Sequence, residues 1–209
     1  MKKYEVHDLI QIKKGQQSVF DRELPFWVQE TLKESNWAVV RRGIGTSGIP
    51  VGIRGELKTQ RFACELACDA VGKTVKPDQL LRDVFNGRIY NPLWEKELDP
   101  LKRIVWDQEN NWKGILRVGV TGSVGYELAT GIPVTTEKSD IDLLIYVEER
   151  FSRSEAKRLL QFLKNMERRT DAVLKMEKGW ISLEEYASEA SQILVKTIDG
   201  CCMIAHENN

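Results

Sequence analysis

The sequence has no net charge, few histidines and no long apolar run, and each absence excludes a class of protein. Its 31 basic and 31 acidic residues cancel, so the bulk charge does not support a nucleic-acid binder or a membrane-surface binder. No apolar stretch approaches the roughly 18 residues that a membrane-spanning helix needs. The N-terminus, MKKYEVHDLIQIKK, is too polar for a signal peptide. We therefore expect a cytoplasmic protein without nucleic-acid or membrane partners.

Cysteine and histidine are too scarce to indicate a disulfide framework or a zinc site. The chain has 209 residues and four cysteines: Cys64, Cys68, Cys201 and Cys202. At this length the expectation is reduced thiols, buried for structural reasons. Cys64 and Cys68 are expected on one face of a helix, but no clustered histidines complete a zinc set around them.

The composition that remains is that of an ordinary folded protein. Hydrophobic residues make up 42% and charged residues 30% of the chain, enough for one or two compact domains. The sequence predicts an α+β fold in three parts. These are a small N-terminal α/β domain over residues 1–86, a packed connector over 87–113, and a domain with a mixed sheet flanked by helices over 114–209. Pro92, Pro100 and scattered tryptophans mark the connector.

Apolar periodicity and turn residues predict the individual elements. Ser152 and Glu155 form a capping box at the start of the longest helix, and Arg168 and Arg169 fall in its predicted last turn. The predicted strands are 4–14, 37–42, 49–55, 115–123, 139–147, 170–176 and 191–200. The predicted helices are 23–34, 56–71, 77–85, 124–131, 152–169 and one that begins at Ser182.

Two motifs within residues 119–145 indicate the chemistry. Asp140 and Asp142 alternate within a strand, so both carboxylates point the same way, while Ile141 and Leu143 face the core. Two like charges this close need a compensating metal, positive side chain or solvent. Hard oxygen ligands of this kind suit Mg²⁺, with Mn²⁺ as the alternative. The structural alternative is a solvated strand end.

The second motif is a Gly-Ser pair at a strand-to-helix turn. Gly122 lets the backbone approach a phosphate closely, and the following helix amides and the Ser123 hydroxyl can donate hydrogen bonds to it. Such a turn alone is weak evidence. Followed by the Asp140-x-Asp142 strand, it indicates phosphoryl or nucleotidyl transfer.

Four arginines flank a glycine-rich loop in the first half of the chain: Arg41, Arg42, Arg54 and Arg61. The forked guanidinium of arginine matches phosphate oxygens, which makes this group a candidate anion site. The alternative is a solvated sheet edge, where basic residues discourage aggregation.

The order of these motifs resembles that of the nucleotidyltransferase superfamily, in which a Gly-Ser turn precedes an Asp-x-Asp strand and a later strand adds a third carboxylate. Asp171 occupies that third position, although by itself it would be an ordinary turn residue. Further stretches resemble the phosphoribosyl-dephospho-CoA transferases that prime the acyl carrier protein of malonate decarboxylase. They are HDLI at 7–10, PFWV at 25–28, VVRR at 39–42, IPVGIRG with QRFA at 49–63, and GSVGYELATGIP with SDIDLL at 122–144.

The resemblance implies a fold, a reaction and a set of partners. Residues 114–209 would be a nucleotidyltransferase-like catalytic domain, and residues 1–86 would recognise the substrate. The donor would be 2'-(5''-triphosphoribosyl)-3'-dephospho-CoA, the acceptor a serine of the carrier subunit, and pyrophosphate the leaving group. Asp140, Asp142 and Asp171 would be the catalytic metal ligands. Gly122, Ser123 and the four arginines would bind the donor.

Two other functions share these motifs. One is a nucleotidyltransferase that uses ATP to modify a protein or a small molecule. The other is a catalytically silent domain that binds a nucleotide or a carrier protein. Because the same catalytic residues serve both transferases, the first half of the chain must distinguish the donor.

Overall fold

The computed structural model describes residues 4–13, 19–57, 59–108 and 110–206. Within them the chain forms two β-sheets with accompanying helices, which confirms the predicted α+β fold. The predicted outer limits of the domains, residues 1 and 209, lie outside the described residues. So does Lys14, at the end of the first predicted strand.

The strands fall into two groups along the chain. Those of the first half are β1 (Leu9–Ile12), β2 (Trp37–Val40), β3 (Ile49–Arg54), β4 (Arg61–Leu66) and β5 (Val71–Val75). Those of the second half are β6 (Ile115–Thr121), β7 (Ile141–Val147), β8 (Thr170–Met176), β9 (Gly179–Ser182), β10 (Gln192–Lys196) and β11 (Cys201–Ala205).

The helices lie between these strands and in the connector. They are α1 (Phe26–Glu34), α2 (Pro77–Phe85), α3 (Pro92–Leu98), α4 (Lys102–Trp106), α5 (Gly122–Thr130), α6 (Arg153–Lys164) and α7 (Leu183–Tyr186). The predicted capping box at the start of α6 is confirmed, because the Ser152 side chain accepts from the Glu155 amide and the Glu155 side chain accepts from the Ser152 amide.

Each half of the chain contributes one sheet. The first sheet has the strand order β4-β3-β2-β1-β5 and is antiparallel throughout the described residues. The second has the order β11-β10-β9-β8-β7-β6. It is mixed, as predicted, because β7 and β8 run parallel and are joined across α6, while its other pairs are antiparallel.

Alternation along β7 decides which face of the second sheet each side chain occupies. Ile141 and Leu143 pack into the main core beneath the helices, which confirms their predicted direction. Leu144 and Tyr146 point the opposite way, into a separate apolar cluster. Asp142 shares the face of Leu144 and Tyr146, because side chains two apart on a strand point together.

The first sheet and its flanking segments cover this opposite face. Val6 packs with Leu144 and Tyr146, and Trp37 packs with Tyr126 of α5. The helix α2, which falls within the predicted N-terminal domain, instead contributes to the core of the second sheet through apolar residues that include Leu80, Leu81 and Val84. The connector is buried through Trp94, Leu98, Leu101 and Ile104.

The structure corrects several predicted elements. The predicted helix 56–71 is wrong, because residues 61–66 form β4 and residues 68–70 a short 3-10 turn; Lys58 lies outside the described residues. The apolar spacing of four, Phe62 to Leu66, fits one face of a helix, but an even spacing also keeps residues on one face of a strand. The sequence also does not predict β5, β9 and β11.

Two further predictions are wrong. The helix α6 ends at Lys164 with Asn165 as its cap, so Arg168 and Arg169 lie beyond it and do not face its last turn. Only Cys64 among the four free cysteines is buried. The other three lie on a short turn or on the edge strand β11, where the side chains are open to solvent.

None of the helices in the described residues is long and apolar enough to cross a membrane.

Candidate active site

The carboxylates predicted to be catalytic meet where β7 and β8 begin. These two strands are parallel and in register, with Asp142 directly opposite Asp171 and Thr121 opposite Asp142 on the other side. The Thr121 hydroxyl donates to the Asp142 carbonyl oxygen at 3.2 Å. The sequence separates these residues by up to fifty positions, and the strand register brings them to one point.

Asp142 occupies an electrostatically unfavourable position. Burial raises the pKa of its carboxyl, and the neighbouring charges of Asp171 and Asp140 raise it further, against the opposing effect of Arg169. The charges of the three acidic residues therefore interact, although Asp140 lies just before β7 and not, as the sequence predicts, on the strand with Asp142. Asp140 is half-buried and Asp171 is exposed.

Arg169 is the cation that the structure places on this group. Its guanidinium lies 3.3 Å from Oδ2 of Asp171 and 3.9 Å from Oδ2 of Asp140. As the side chains stand, no group of three or more His, Cys, Asp or Glu residues in the described ranges is assembled as a metal site. The carboxylate oxygens nevertheless fit a hard divalent cation as ligands, because a half-buried carboxylate with two like-charged neighbours is stabilised by added positive charge.

The Gly-Ser turn lies directly against this group. Gly122 has φ +62°, and a Cβ built on it would lie 1.9 Å from Oδ2 of Asp142. Only glycine fits both the left-handed backbone and this approach. The turn starts α5 immediately after β6, so the first amides of a nine-residue helix open beside the carboxylates. Such amides bind anions, phosphate above all.

The first sheet holds this turn in place. Arg54, the last residue of β3, donates from Nη1 to the Ser123 hydroxyl at 3.0 Å. One turn further along α5, the Tyr126 hydroxyl makes a short hydrogen bond to Ser35. On the other side of α5, a Cβ on Gly125 would lie 2.7 Å from the Val120 carbonyl oxygen, so the helix packs closely on β6.

Glu127 fixes the loop that leads from α5 to the Asp140 strand. Its carboxylate accepts from the Val134 amide, from the amide and hydroxyl of Thr135, and from the Trp94 indole N–H. Burial acts to raise the pKa of Glu127, but these hydrogen bonds outweigh it and the pKa is lowered. One half-buried carboxylate thus ties together the connector, α5 and the loop.

A cleft of about 1240 Å³ opens in front of these groups, between the two sheets. Asp142, Asp171 and Gly122 line it from the second sheet. Arg41, Arg54 and Arg61 line it from the first sheet. Arg54 and Arg61 face each other across the β3–β4 pair. Burial, together with the charge of Arg61, lowers the pKa of Arg54. The cleft thus has carboxylates at one wall and arginines at the other. This is the main cleft below.

Arg42 is the predicted arginine that the structure does not bring into the main cleft. Its Nη1 donates to the carbonyl oxygens of Thr197 and Gly200, both at 3.1 Å, in the turn between β10 and β11. It therefore joins the first sheet to the far edge of the second. Its predicted role in binding the donor stays a prediction.

Three residues of the main cleft were not predicted as site residues. Arg169 follows α6 in the sequence and was assigned to a helix end. Lys196 ends β10 and lines the cleft, exposed. His7 also lines it, and among the described residues it alone has a positive φ, +77°, without being glycine. Burial and the nearby Arg42 lower the pKa of His7. The HDLI stretch marks its position, but no local pattern shows that it faces the cleft.

Comparison with known protein families covers both halves of the chain. Residues 91–207 match the model described as phosphoribosyl-dephospho-CoA transferase MdcG C-terminal domain. Residues 5–77 match the corresponding MdcG N-terminal domain. Between the two matches lie residues 78–90, which include most of α2.

Curated relatives carry the same description. The chain is 33% identical to a phosphoribosyl-dephospho-CoA transferase of Azotobacter vinelandii over 193 residues, covering 88% of this chain and 85% of the relative. It is 30% identical to one of Pseudomonas fluorescens, with the same shares covered. A relative from Pseudomonas aeruginosa is 32% identical, covering 82% of this chain and 79% of its own length. No solved structure matches the chain.

Proposed function

Because the chain belongs to the phosphoribosyl-dephospho-CoA transferase family, we propose that its main cleft holds the triphosphate end of an activated dephospho-CoA donor. The chain is a transferase enzyme. The donor we propose is 2'-(5''-triphosphoribosyl)-3'-dephospho-CoA, and the acceptor is a serine hydroxyl of the malonate decarboxylase acyl carrier protein.

One observation carries this proposal. The register of β7 and β8 sets Asp142 beside Asp171, and the Gly122 turn lies within contact distance of Asp142. A phosphate on the helix amides of this turn would therefore lie next to both carboxylates. Arg54 reaches the same turn from the other sheet and adds a cationic donor.

The chain's own groups suit a displacement at phosphorus. The serine oxygen forms a bond to the α-phosphorus, the bond to the pyrophosphate oxygen breaks, and the serine proton passes to a base. Asp171, exposed at the cleft wall, is the residue we assign to accept that proton or to orient the hydroxyl. The amides of α5, the Ser123 hydroxyl and Arg54 stabilise negative charge on the triphosphate and on the departing pyrophosphate.

We propose Mg²⁺, with Mn²⁺ as the alternative, as the ion that Asp140, Asp142 and Asp171 would hold. A bound divalent ion would supply positive charge to the phosphate oxygens. Arg169 would share the same carboxylates, because it lies on two of them in the structure.

Pyrophosphate release tests the donor and the site together. The full chain with the carrier subunit should release pyrophosphate from the triphosphoribosyl donor and not from ATP. Asp142→Asn should abolish the release. Asp83→Asn removes an exposed ion pair with Arg88 outside both motifs and should leave it near normal. Equal release from ATP would point instead to an ATP-using nucleotidyltransferase.

A further inference from the structure

A second cleft, of about 990 Å³, lies between the two sheets beyond the main one. The glycine-rich loop 43–50 forms one wall through Ile44 and Ile49. Tyr146 and Trp180 of the second sheet form part of the other. Most of the open lining is apolar or aromatic, with a smaller number of charged side chains among it, which is the usual composition of a small-molecule site. This is the distal cleft below.

The two clefts lie end to end along the same strands. On β7, Asp142 lines the main cleft and Tyr146 the distal one. On β8, the corresponding residues are Asp171 and Lys175. Four residues along a strand span about 13 Å, and even spacing keeps the side chains on one face. A long ligand that starts at the carboxylates can therefore continue along this face into the distal cleft.

Arg41 lines both clefts and stands at their junction. Its stem lies over Gly52, where a Cβ would come within 2.9 Å of Arg41 Cδ. The absence of a side chain at Gly52 gives the arginine its path. Among the described residues its guanidinium has no ion pair or hydrogen bond in the structure, and the residue is exposed. An unpaired arginine between two clefts is suited to bind an anion that spans them.

The glycine-rich loop does not itself offer a phosphate site. The Glu65 carboxylate accepts from the amides of Thr46, Ser47 and Gly48 and already occupies the anion position that these amides form. The loop is thereby fixed, and Ile44 stands on it with 68% of its surface exposed. Its contribution to the distal cleft is an ordered apolar wall.

We propose that the distal cleft binds the pantetheine arm of the donor, with Arg41 on the pyrophosphate bridge of its dephospho-CoA part. This inference rests on the proposed function. The donor carries its triphosphoribosyl group at the adenosine end, followed by the pyrophosphate bridge and then by pantetheine. Pantetheine is a long chain of methylene groups with a dimethyl-substituted carbon, a hydroxyl, two amides and a terminal thiol, and it matches a cleft whose open surface is mainly apolar with some polar groups. Along the ligand, the triphosphate is followed by the pyrophosphate bridge and then by pantetheine. Along the protein, the main cleft is followed by Arg41 and then by the apolar wall of the distal cleft, so the two orders match.

The charged side chains that line the distal cleft are compatible with this ligand. Arg117 lies over the Tyr146 ring, 3.8 Å from its centroid, and Lys175 lies over the Trp180 ring at 4.6 Å. Glu5 is the acidic neighbour, and it is compensated by Arg117 at 3.8 Å and Lys76 at 3.6 Å. Glu177 is exposed at the rim.

Calorimetry on the full chain with two separate probes tests the inference. Dephospho-CoA lacks the triphosphate and should depend on the distal cleft. Inorganic triphosphate lacks the CoA part and should depend on the main cleft. Ile44→Glu should weaken dephospho-CoA binding by about tenfold or more, since it replaces an apolar contact by a charge that repels an anionic ligand. It should leave the affinity for triphosphate unchanged. Arg54→Ala should weaken triphosphate binding and leave the affinity for dephospho-CoA unchanged.

The control is Phe26→Glu, which adds the same charge at a residue that is 76% exposed and lines neither cleft. It should change neither affinity. Unchanged dephospho-CoA affinity in Ile44→Glu would overturn the inference. Equal weakening of dephospho-CoA and triphosphate binding would also overturn it, because the added negative charge would then explain the whole effect. Weakened binding of the carrier protein without any effect on dephospho-CoA would also overturn it and assign the cleft to the acceptor.

Failure of the proposed function would give a different set of binding results. If the wild-type chain bound neither the triphosphoribosyl donor nor dephospho-CoA, both proposals would fall. If it bound and used the donor while Ile44→Glu retained full affinity for it, only the distal cleft would be misassigned.

Discussion

At the scale of single residues, Gly122 is the position where the site tolerates a side chain least. Its left-handed backbone costs any L-residue about 1–2 kcal/mol, and a Cβ there would collide with the Asp142 carboxylate. We expect Gly122→Ala to lose most transferase activity, because the turn and the carboxylate cannot both keep their positions. Activity and urea unfolding measured on the same preparation would show the effect.

Gly131 supplies the matched control for this change. It ends α5 with φ +73°, and nothing lies within 4 Å of a Cβ built there. Gly131→Ala should therefore lose only the backbone term of about 1–2 kcal/mol in unfolding free energy and keep its activity. Equal loss of activity in both variants would contradict the role assigned to the contact with Asp142.

We expect Asp142 to lower the stability of the folded protein at neutral pH while being required for transfer. Its pKa is raised in the folded state by burial and by Asp171 and Asp140, so the folded protein holds the proton more tightly than the unfolded chain. Stability from this group is then greatest at low pH and falls as pH rises through its ordinary value towards the raised one. At neutral pH, Asp142→Asn should raise the unfolding midpoint while abolishing transfer.

Added Mg²⁺ gives the same variant a second readout. The ion should raise the thermal midpoint of the wild type, because ligands that bind the folded state stabilise it. It should raise the midpoint of Asp142→Asn much less. An identical Mg²⁺ response in the two proteins would count against Asp142 as a metal ligand.

At the scale of elements, the clamp between Glu65 of β4 and the loop 43–50 should be visible as a pH effect. Hydrogen bonds from Ser47 and Thr46 lower the pKa of Glu65 to about 2, from 4.5. Because the pKa is lowered, the stabilisation is complete above pH 4.5 and is lost as pH falls towards 2. Glu65→Gln should therefore be less stable than the wild type at pH 6, and the difference should shrink below pH 4.5.

Denaturant unfolding between pH 6 and pH 3 measures this difference. Glu149→Gln is the control, because Glu149 is exposed and its carboxylate has no hydrogen bond or ion pair among the described residues. Its stability should follow the wild type at every pH. A constant gap between wild type and Glu65→Gln across the whole range would exclude the clamp as the cause.

Elements with one strong local signal were predictable from the sequence. The helix α2 begins at Pro77 and ends before Asn86-Gly87, and its bounds agree with the prediction. The strand β7 carries an apolar run whose alternation gave the correct direction of Ile141 and Leu143. In both, the local pattern and the tertiary environment favour the same structure.

Elements that depend on distant partners were not predictable from the sequence. The strand β4 has a spacing that helix and strand share, and its state is decided by six residue pairs with β3. Likewise, nothing around Arg169 or His7 in the sequence shows that both line the main cleft. Arg169 reaches Asp140 and Asp171 only because β8 runs parallel to β7.

At the scale of the whole molecule, the two sheets should unfold together. Val6 packs on Leu144 and Tyr146, and Leu9 shares a cluster with Trp37 and Tyr126, so the apolar clusters cross the boundary between the halves. We expect a single urea transition, with far-UV circular dichroism and tryptophan fluorescence coincident. Leu9→Ala should shift the whole transition, by about 2–5 kcal/mol. Two separate transitions would mean that the halves are independent.

Both clefts lie between the sheets, so transfer requires the intact chain. The second sheet supplies the carboxylates and the turn, and the first supplies the arginines and the apolar wall. Under the proposed function, motifs within residues 119–145 would determine the type of reaction, and the choice of donor would depend on the first half.

Intact-mass spectrometry of the acyl carrier subunit tests the central proposal most directly. After incubation with the full chain, Mg²⁺ and the triphosphoribosyl donor, the subunit should gain the mass of one phosphoribosyl-dephospho-CoA group on a serine. No gain should occur with ATP as donor or with the Asp142→Asn enzyme. An unmodified subunit under the complete conditions, or a gain of the same size with Asp142→Asn, would contradict it.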